Sequence, residues 1–197
     1  MTLILDPIVD DPGHYFTIAE FRASEPEFAD AVAYTDLAIG RARIWAEERF
    51  EMAAHCAWVE RTSTEAHIGA GTMLRTDQMD VRAIISATIG GVPIDVSALV
   101  VLPYGYIRRE ALWDAGAVVE ITYTYGKSVI PAPVKEAVML LTGFKLVPNN
   151  LRSNATSEST DVGFIRLAHA TPGGKTGLLE VDAVASDYGH APMRRSW

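Results

Sequence analysis

The sequence has a single cysteine, Cys56, among its 197 residues. One cysteine excludes an intramolecular disulfide framework and a cysteine-rich zinc site. Long apolar runs are also missing, since stretches such as 96–102 and 134–141 fall far short of the roughly 20 residues that cross a bilayer. The N-terminal segment lacks the basic residues that precede the apolar part of a secretory signal. The sequence therefore predicts a soluble protein without a membrane partner, made in a reducing cytoplasm.

Positive charge is scarce as well. The chain has 17 lysines and arginines against 25 aspartates and glutamates, a formal net charge of -8. A dedicated nucleic-acid binder needs a basic surface to displace phosphate counterions, and docking to anionic lipid makes the same demand. The charge balance argues against both classes. The 49% of hydrophobic residues exclude a disordered chain and suffice for a packed core.

Side chains that perform catalysis or bind metals do not form a recognisable pattern. The five histidines are scattered, and none forms the paired spacing of a metal site. His55 and Cys56 are adjacent, so on a helix they point about 100° apart and do not form a thiol–imidazole pair. Gly174-Lys175-Thr176 resembles the end of a phosphate-binding loop, but His169 stands where that loop needs a glycine. We therefore expect no catalytic residue, no metal ligand and no cofactor.

Two helices are predicted in the first third of the chain. Thr17 and Glu20 have the spacing of a capping box, which begins a short helix. Pro26 is suited to a first turn and begins a longer amphipathic helix that runs to about Ala57. Its apolar residues extend beyond one stripe, so it must pack on more than one side. The acidic pair Glu47-Glu48 is expected on a solvated face of this helix.

The pattern changes to that of strands over about residues 58–125. Residues 81–89 and 117–125 are β-branched and partly alternating, and Gly90-Gly91 indicates a hairpin turn. A short apolar helix, 134–148, follows and is expected in the core. Residues 149–197 are rich first in Asn, Ser and Thr and then in Gly and Pro, with a short helix at 178–188. A connection this long is unusual inside a compact domain, which predicts an arm that becomes ordered on a partner.

These elements predict an α+β fold. The predicted architecture is a helical bundle, made of the long amphipathic helix and the core helix, with an inserted small antiparallel β unit and extended terminal arms. The predicted boundaries are an N-terminal arm at 1–16, a helical domain at 17–148 with the β insertion at about 58–125, and a C-terminal arm at 149–197.

Two stretches resemble a known family. The first is Val119-Glu120-Ile121-Thr122-Tyr123-Thr124-Tyr125-Gly126, followed by Pro131, Val134-Lys135, Ala137 and Leu140-Leu141. It resembles the strand–turn–helix of head-to-tail adaptor (connector) proteins of long-tailed, siphovirus-type bacteriophages. The second, residues 176–184 with Tyr188, is similar to their C-terminal signature. The chain departs from the family at Leu179, where a proline is common, and at Lys127-Ser128.

The resemblance implies a structural, non-enzymatic protein of the virion. Copies would form a dodecameric ring at the head–tail junction, after synthesis in the host cytoplasm. The implied partners are other copies of the chain, the portal protein and a head-closure or tail-side neck protein. Genomic DNA would pass through the channel without specific binding, which an acidic chain suits.

The candidate interface residues all lie in the predicted C-terminal arm. Trp197 follows Arg194-Arg195-Ser196 and has no local core to join, so we expect it to fill a neighbour's pocket; a frayed tail is the alternative. The complete candidate set is Ile165, Leu167, Leu178, Leu179, Val181, Tyr188 and Trp197.

Two other functions stay open. Another neck protein, a head-closure or tail-terminator protein, would be built mainly of β elements, whereas the long predicted helix points elsewhere. A small soluble hydrolase or transferase would need a convergent nucleophile, base and orienting group, and the sequence offers no such set.

Overall fold

The computed structural model describes residues 13–147, 157–160, 163–166 and 176–190. The chain divides into two compact units. Residues 55–130 form one, here called the strand unit. The described residues before and after it form the other, here called the helical unit. The strand unit is therefore inserted, in sequence, between two parts of the helical unit.

The strand unit contains seven strands in two antiparallel sheets. The first sheet has the order β1-β7-β3-β4 and the second the order β2-β6-β5. The strands are β1 Arg61–Ile68, β2 Met73–Arg75, β3 Val81–Ile89, β4 Val92–Pro93, β5 Leu99–Leu102, β6 Tyr106–Arg109 and β7 Val118–Tyr125.

The core of the strand unit is supplied by both sheets. In β7, Val119, Ile121 and Tyr123 are fully buried, while the alternate residues Val118 and Glu120 are exposed. This is the two-residue period of a strand with one face on a core. The same core contains Leu74, Ala87, Ile89, Leu99, Ile107 and Trp113.

The predicted Gly-Gly hairpin is confirmed. Gly90 and Gly91 connect β3 to β4 with φ of 57° and 82°, and Ile89 pairs with Val92 across the turn. A two-residue hairpin turn of this kind requires positive φ at both central residues, which glycine adopts without a steric penalty.

The helical unit contains four α-helices: α1 Ile18–Ser24, α2 Asp36–Ala54, α3 Ala132–Leu146 and α4 Leu179–Tyr188. It also contains a two-stranded antiparallel hairpin, β8 Ser157–Thr160 and β9 Gly163–Arg166. Helix α2 packs against α3 and α4, and α3 also packs against α4. Among the described residues, no helix combines the length and the apolar character that crossing a bilayer requires.

The predicted capping box at the start of α1 is confirmed. The Thr17 hydroxyl accepts the Glu20 N–H at 3.1 Å, and the Glu20 carboxylate accepts the Thr17 N–H at 2.8 Å. These two hydrogen bonds are the predicted capping box, and they satisfy two donors that the first turn of α1 leaves free. The Glu20 carboxylate also accepts a hydrogen bond from Lys135 of α3, which together with the Thr17 N–H lowers the Glu20 pKa.

The predicted fold class is wrong. The described chain is a mixed α/β fold with two antiparallel sheets in the strand unit, a further two-stranded hairpin and four α-helices. Helices do not dominate it, and it is not a helical bundle. The β insertion, expected to be small, carries seven strands and a core of its own. The two central strands of the first sheet, β3 and β7, lie at the predicted 81–89 and 117–125, whereas β2 at Met73–Arg75 was not predicted. The assembly of the strands into two sheets depends on pairing between residues distant in sequence.

The long helix predicted for residues 26–57 is also wrong. Pro26–Phe28 forms a single 3-10 turn, and α2 begins only at Asp36. The reason is local, because the Asp30 carboxylate accepts the N–H groups of Val32 and Ala33 at 2.8 and 3.3 Å. An aspartate that bonds to the backbone two and three residues ahead offers the chain an alternative to the helix.

Candidate interface

An apolar groove opens on the helical unit. It lies between α3, the 3-10 turn at Pro26–Phe28 and the beginning of α4, and it has a volume of about 480 Å³. Its apolar lining comes from Phe28, Met139, Leu140, Gly143, Phe144, Val147, Leu178 and Leu179, and its acidic lining from Glu25, Glu27 and Glu180. The groove is therefore an apolar surface with carboxylates beside it.

The apolar lining consists of a buried floor and exposed walls. Phe28 and Met139 are buried, whereas Leu140 and Phe144 are each 43% exposed and Leu179 is 53% exposed. Isolated exposed leucines are normal on a protein surface, but a contiguous apolar surface in a concave site marks a place of interaction. This groove has that character.

Close packing of helix α3 on the 3-10 turn shapes the floor. A Cβ atom added at Gly143 would lie 3.1 Å from the Cε2 atom of Phe28. The glycine therefore lets the Phe28 ring approach the α3 backbone. A larger side chain there would displace the ring from this position.

Hydrogen bonds around Thr176 determine the conformation of the turn before α4, which forms one side of the groove. The Asp182 carboxylate accepts both the N–H and the hydroxyl of Thr176, at 2.9 and 2.8 Å. The Thr176 hydroxyl also accepts the Leu178 N–H at 3.3 Å. Because Thr176 is buried, these bonds hold the segment before α4 in one path. That path places Leu178 and Leu179 in the groove lining.

The acidic residues give the groove its electrostatic character. Glu27 and Glu180 are exposed and Glu25 is half-buried, and all three line the groove. Carboxylates at the edge of an apolar surface favour a partner that combines an apolar group with positive charge.

The structure does not bring the predicted interface residues together at one site. Leu178 and Leu179 line the groove. Val181 is fully buried inside its own chain, and Tyr188, in the last turn of α4, is 39% exposed but does not line the groove. Ile165 lies in strand β9. Leu167 and Trp197 lie outside the described residues.

Sequence reasoning missed the α3 wall. Leu140, Phe144 and Val147 line the groove, although the whole helix was expected in the core. Their spacing of four and three residues places them on one side of a helix. That second apolar stripe, beside the one formed by buried Val134, Val138 and Leu141, was the signal available in the sequence.

The Cys56 thiol, considered above as a nucleophile, is unsuited to that role. Its side chain is buried, and burial raises the pKa of the thiol from its ordinary value of 9.0 to about 11. Since the thiolate is the nucleophilic form, a thiol with this pKa is almost entirely unreactive near neutral pH.

No known protein-family model matches the chain, and no curated protein is detectably similar to it. Several solved chains share its fold, among them three from GTA particles. One, in the neck of the empty GTA particle computed with C6 symmetry, has a TM-score of 0.63 at 20% identity, covering 94% of each chain. A second, in the neck of the native GTA particle computed with C12 symmetry, has a TM-score of 0.59 at 20% identity, covering 91% of each chain. The third, in the virion of the native gene transfer agent (GTA) particle, has a TM-score of 0.61 at 18% identity, covering 98% of this chain and 99% of the other.

In each comparison the similarity extends over almost the whole length of both chains. At 18–20% identity it establishes a shared fold. The resemblance inferred from the sequence, to proteins of the phage head–tail junction, is confirmed at that level. The location predicted from the sequence, a virion, is the location of the chains that share this fold.

Proposed function

We propose that this protein is a structural component of the neck of a phage-like virion, in which its copies form a ring at the head–tail junction. The observation that carries the proposal is the shared fold, over more than nine-tenths of both chains, with chains from the neck of a gene transfer agent particle. Those necks were computed with sixfold and twelvefold cyclic symmetry. A cyclic arrangement is what a ring requires, and the twelvefold case supports a dodecamer.

Exposed apolar surfaces on the helical unit support the ring. A closed ring joins each copy to the next through two different surfaces, so each copy needs apolar area on more than one side. The groove is one such surface. The solvent side of α2 is another, because Leu37, Ile44 and Met52 are exposed along it.

Within the neck, the specific role of the ring is that of an adaptor. The ring binds the portal protein on its head side and a head-closure or tail-side neck protein on the other, and DNA passes through its channel. The net charge of -8 supports passage without capture, since a negative channel wall repels phosphates. The role is non-enzymatic. It is supported by the virion and neck origin of the chains that share the fold and by the buried thiol of Cys56.

Assembly with a portal tests this function. The full chain and the portal protein encoded by the same genome are purified separately, mixed and imaged by electron microscopy, with each protein alone as a control. We expect rings of this chain stacked coaxially on one end of the portal. A chain that neither binds the portal nor forms rings in its presence contradicts the adaptor role.

One observation favours a second position in the neck. The strand unit has two sheets and its own core, and head-closure and tail-terminator proteins are expected to consist mainly of β elements. A protein in that position binds the tail-side components and not the portal. The same mixing experiment, repeated with the purified tail-side proteins, separates the two positions.

A further inference from the structure

The groove on the helical unit has a defined chemical preference. Its walls present Leu140, Phe144 and Leu179 to solvent, and Glu25, Glu27 and Glu180 lie among its lining residues. A volume of about 480 Å³ is in the range of sites that enclose a small molecule or one large side chain. The best occupant is therefore a large apolar side chain with neighbouring positive charge.

The sequence contains a segment with this chemistry. Residues 191–197 include two consecutive arginines, Arg194 and Arg195, between Met193 and Trp197. These seven residues carry two positive charges and no aspartate or glutamate, in a chain whose net charge is -8. Tryptophan and arginine are also the residues most often found at the energetic centre of an interface.

We propose that residues 191–197 of a second copy occupy this groove, with the Trp197 indole against Phe144 and Leu179. Arg194 and Arg195 then face the groove carboxylates. The proposal rests on the proposed ring, because it names a surface through which one copy binds the next. It also gives Trp197 a specific pocket.

The course of α4 favours a second copy over the same chain. The helix begins in the groove at Leu179 and runs away from it for ten residues, a length of about 15 Å at 1.5 Å per residue. Its far end is fixed, since the His190 N–H donates to the Ala54 carbonyl at 2.8 Å. The chain thus leaves α4 at the end remote from its own groove. A segment of one copy in the groove of the next gives a head-to-tail contact, the type that closes a ring.

Peptide binding tests the groove. A fluorescein-labelled peptide of residues 189–197 is titrated with the full chain carrying Arg194→Glu, Arg195→Glu and Trp197→Ala, so that the chain's own segment does not compete. We expect saturable binding by fluorescence anisotropy, weakened at least tenfold when the peptide carries Trp197→Ala. Because the arginines face carboxylates, raising NaCl from 50 to 500 mM weakens binding severalfold.

Two further variants of the protein show where the peptide binds. Leu179→Arg places a charge in the groove and is expected to weaken binding at least tenfold. Ala183→Arg adds the same charge at an exposed position of the same helix outside the groove lining, and is expected to leave binding unchanged. Circular dichroism confirms that both variants are folded. Absent binding, or equal binding to both variants, overturns the proposal.

A mixing experiment identifies the source of the segment. One full-length variant carries Leu179→Arg, which blocks the groove and leaves the segment intact. The other carries the three segment substitutions and keeps the groove. We expect a 1:1 complex by mass photometry that neither variant forms alone, because only one groove and one segment are functional. Peptide binding without this complex assigns the segment to its own groove and overturns the second-copy assignment.

The outcomes separate this proposal from the proposed function. Rings on the portal without peptide binding refute the groove contact and leave the neck role standing. Peptide binding by a chain that ignores the portal supports the groove contact and contradicts the adaptor role.

Discussion

The Nδ1 atom of His14 lies 2.9 Å from the Oε2 atom of Glu47, a residue 33 positions later. The second carboxylate oxygen of Glu47 accepts the Tyr15 N–H at 3.0 Å. One turn earlier on α2, the Arg43 guanidinium donates to the Phe16 carbonyl at 2.8 Å. Arg43 and Glu47 are 0% and 1% exposed. Two buried charged residues of α2 therefore hold the segment before α1 against the helix.

We expect Glu47→Ala to lower the free energy of unfolding by about 2–3 kcal/mol, because it leaves the buried Tyr15 N–H without its acceptor and removes the His14 contact. Urea denaturation followed by circular dichroism measures the change. Glu48→Ala is the matched control, since Glu48 is exposed on the same helix and its substitution should stay within about 0.5 kcal/mol. Equal effects of the two substitutions contradict the anchoring role of Glu47.

The burial of Glu47 could not be predicted from the local sequence. Glu47 and Glu48 were both expected on a solvated face, and for Glu47 that prediction is wrong. An arginine and a glutamate four positions apart usually indicate an exposed helical ion pair. The burial of Glu47 depends on residues more than 30 positions away, which no local pattern reveals.

Features decided within a few residues were predictable. The capping box at Thr17, the Gly90-Gly91 hairpin and the helix ending at Tyr188 are all confirmed. Each depends on a short-range hydrogen bond or a backbone conformation that a particular residue type favours. The helix break at Asp30 is equally local, but the preceding Pro26 masked it by suggesting a helix start.

The candidate site was only partly predictable for a related reason. Leu178 and Leu179 came from a resemblance to a family signature. Phe144 on α3 was missed, because an apolar helix indicates burial without telling which of its sides other elements cover. Whether the walls of a groove are covered depends on the packing of α3 and α4, which residues distant in sequence determine.

We expect Asp182→Ala to loosen the turn that leads into α4. The substitution removes the carboxylate that accepts the N–H and the hydroxyl of Thr176, and the hydroxyl in turn accepts the Leu178 N–H. Amide exchange at Thr176 and Leu178 should therefore accelerate at least tenfold, equivalent to about 1.4 kcal/mol of lost protection. Hydrogen–deuterium exchange with mass spectrometry measures this directly. Asp187→Ala, at an exposed position of the same helix, should leave these amides unchanged. Equal protection in the two variants contradicts the role of the turn.

Substitutions at two glycines of the strand unit distinguish the cost of a left-handed backbone conformation from the cost of a steric clash. Gly105 has a φ of 73°, and a Cβ added there would lie 2.3 Å from the Gln78 carbonyl oxygen. Gly71 has a φ of 62°, but an added Cβ meets nothing within 4 Å. We expect Gly71→Ala to cost about 1 kcal/mol from the left-handed backbone alone.

Gly105→Ala should cost about 1–3 kcal/mol more than Gly71→Ala, because the methyl group also forces the Gln78 backbone to move. Thermal and urea denaturation of both variants give the comparison. Equal losses of stability at the two positions would show that the short distance between Gly105 and the Gln78 carbonyl does not add to the cost of the substitution.

Cys56 gives a prediction that depends on pH. Burial raises the pKa of its thiol from 9.0 to about 11, so at pH 8 the native chain holds about 100-fold less thiolate than the unfolded chain. We expect alkylation of the native protein by iodoacetamide to be slower by at least this factor, and reaction in guanidinium chloride to proceed at the rate of a free thiol. Mass spectrometry of timed samples gives both rates, and comparable rates contradict a buried, protonated thiol.

The same pKa shift predicts how stability changes with pH. Because the folded state favours the neutral thiol, its stabilising contribution is complete below pH 9 and is lost as the pH rises through 11. Other groups titrate in this range, so the comparison is made with Cys56→Ser, whose hydroxyl stays neutral throughout. The wild-type chain should lose more free energy of unfolding than the variant between pH 9 and 11, measured by urea denaturation at each pH. Parallel pH profiles would mean that the thiol ionises equally easily in the folded and unfolded states.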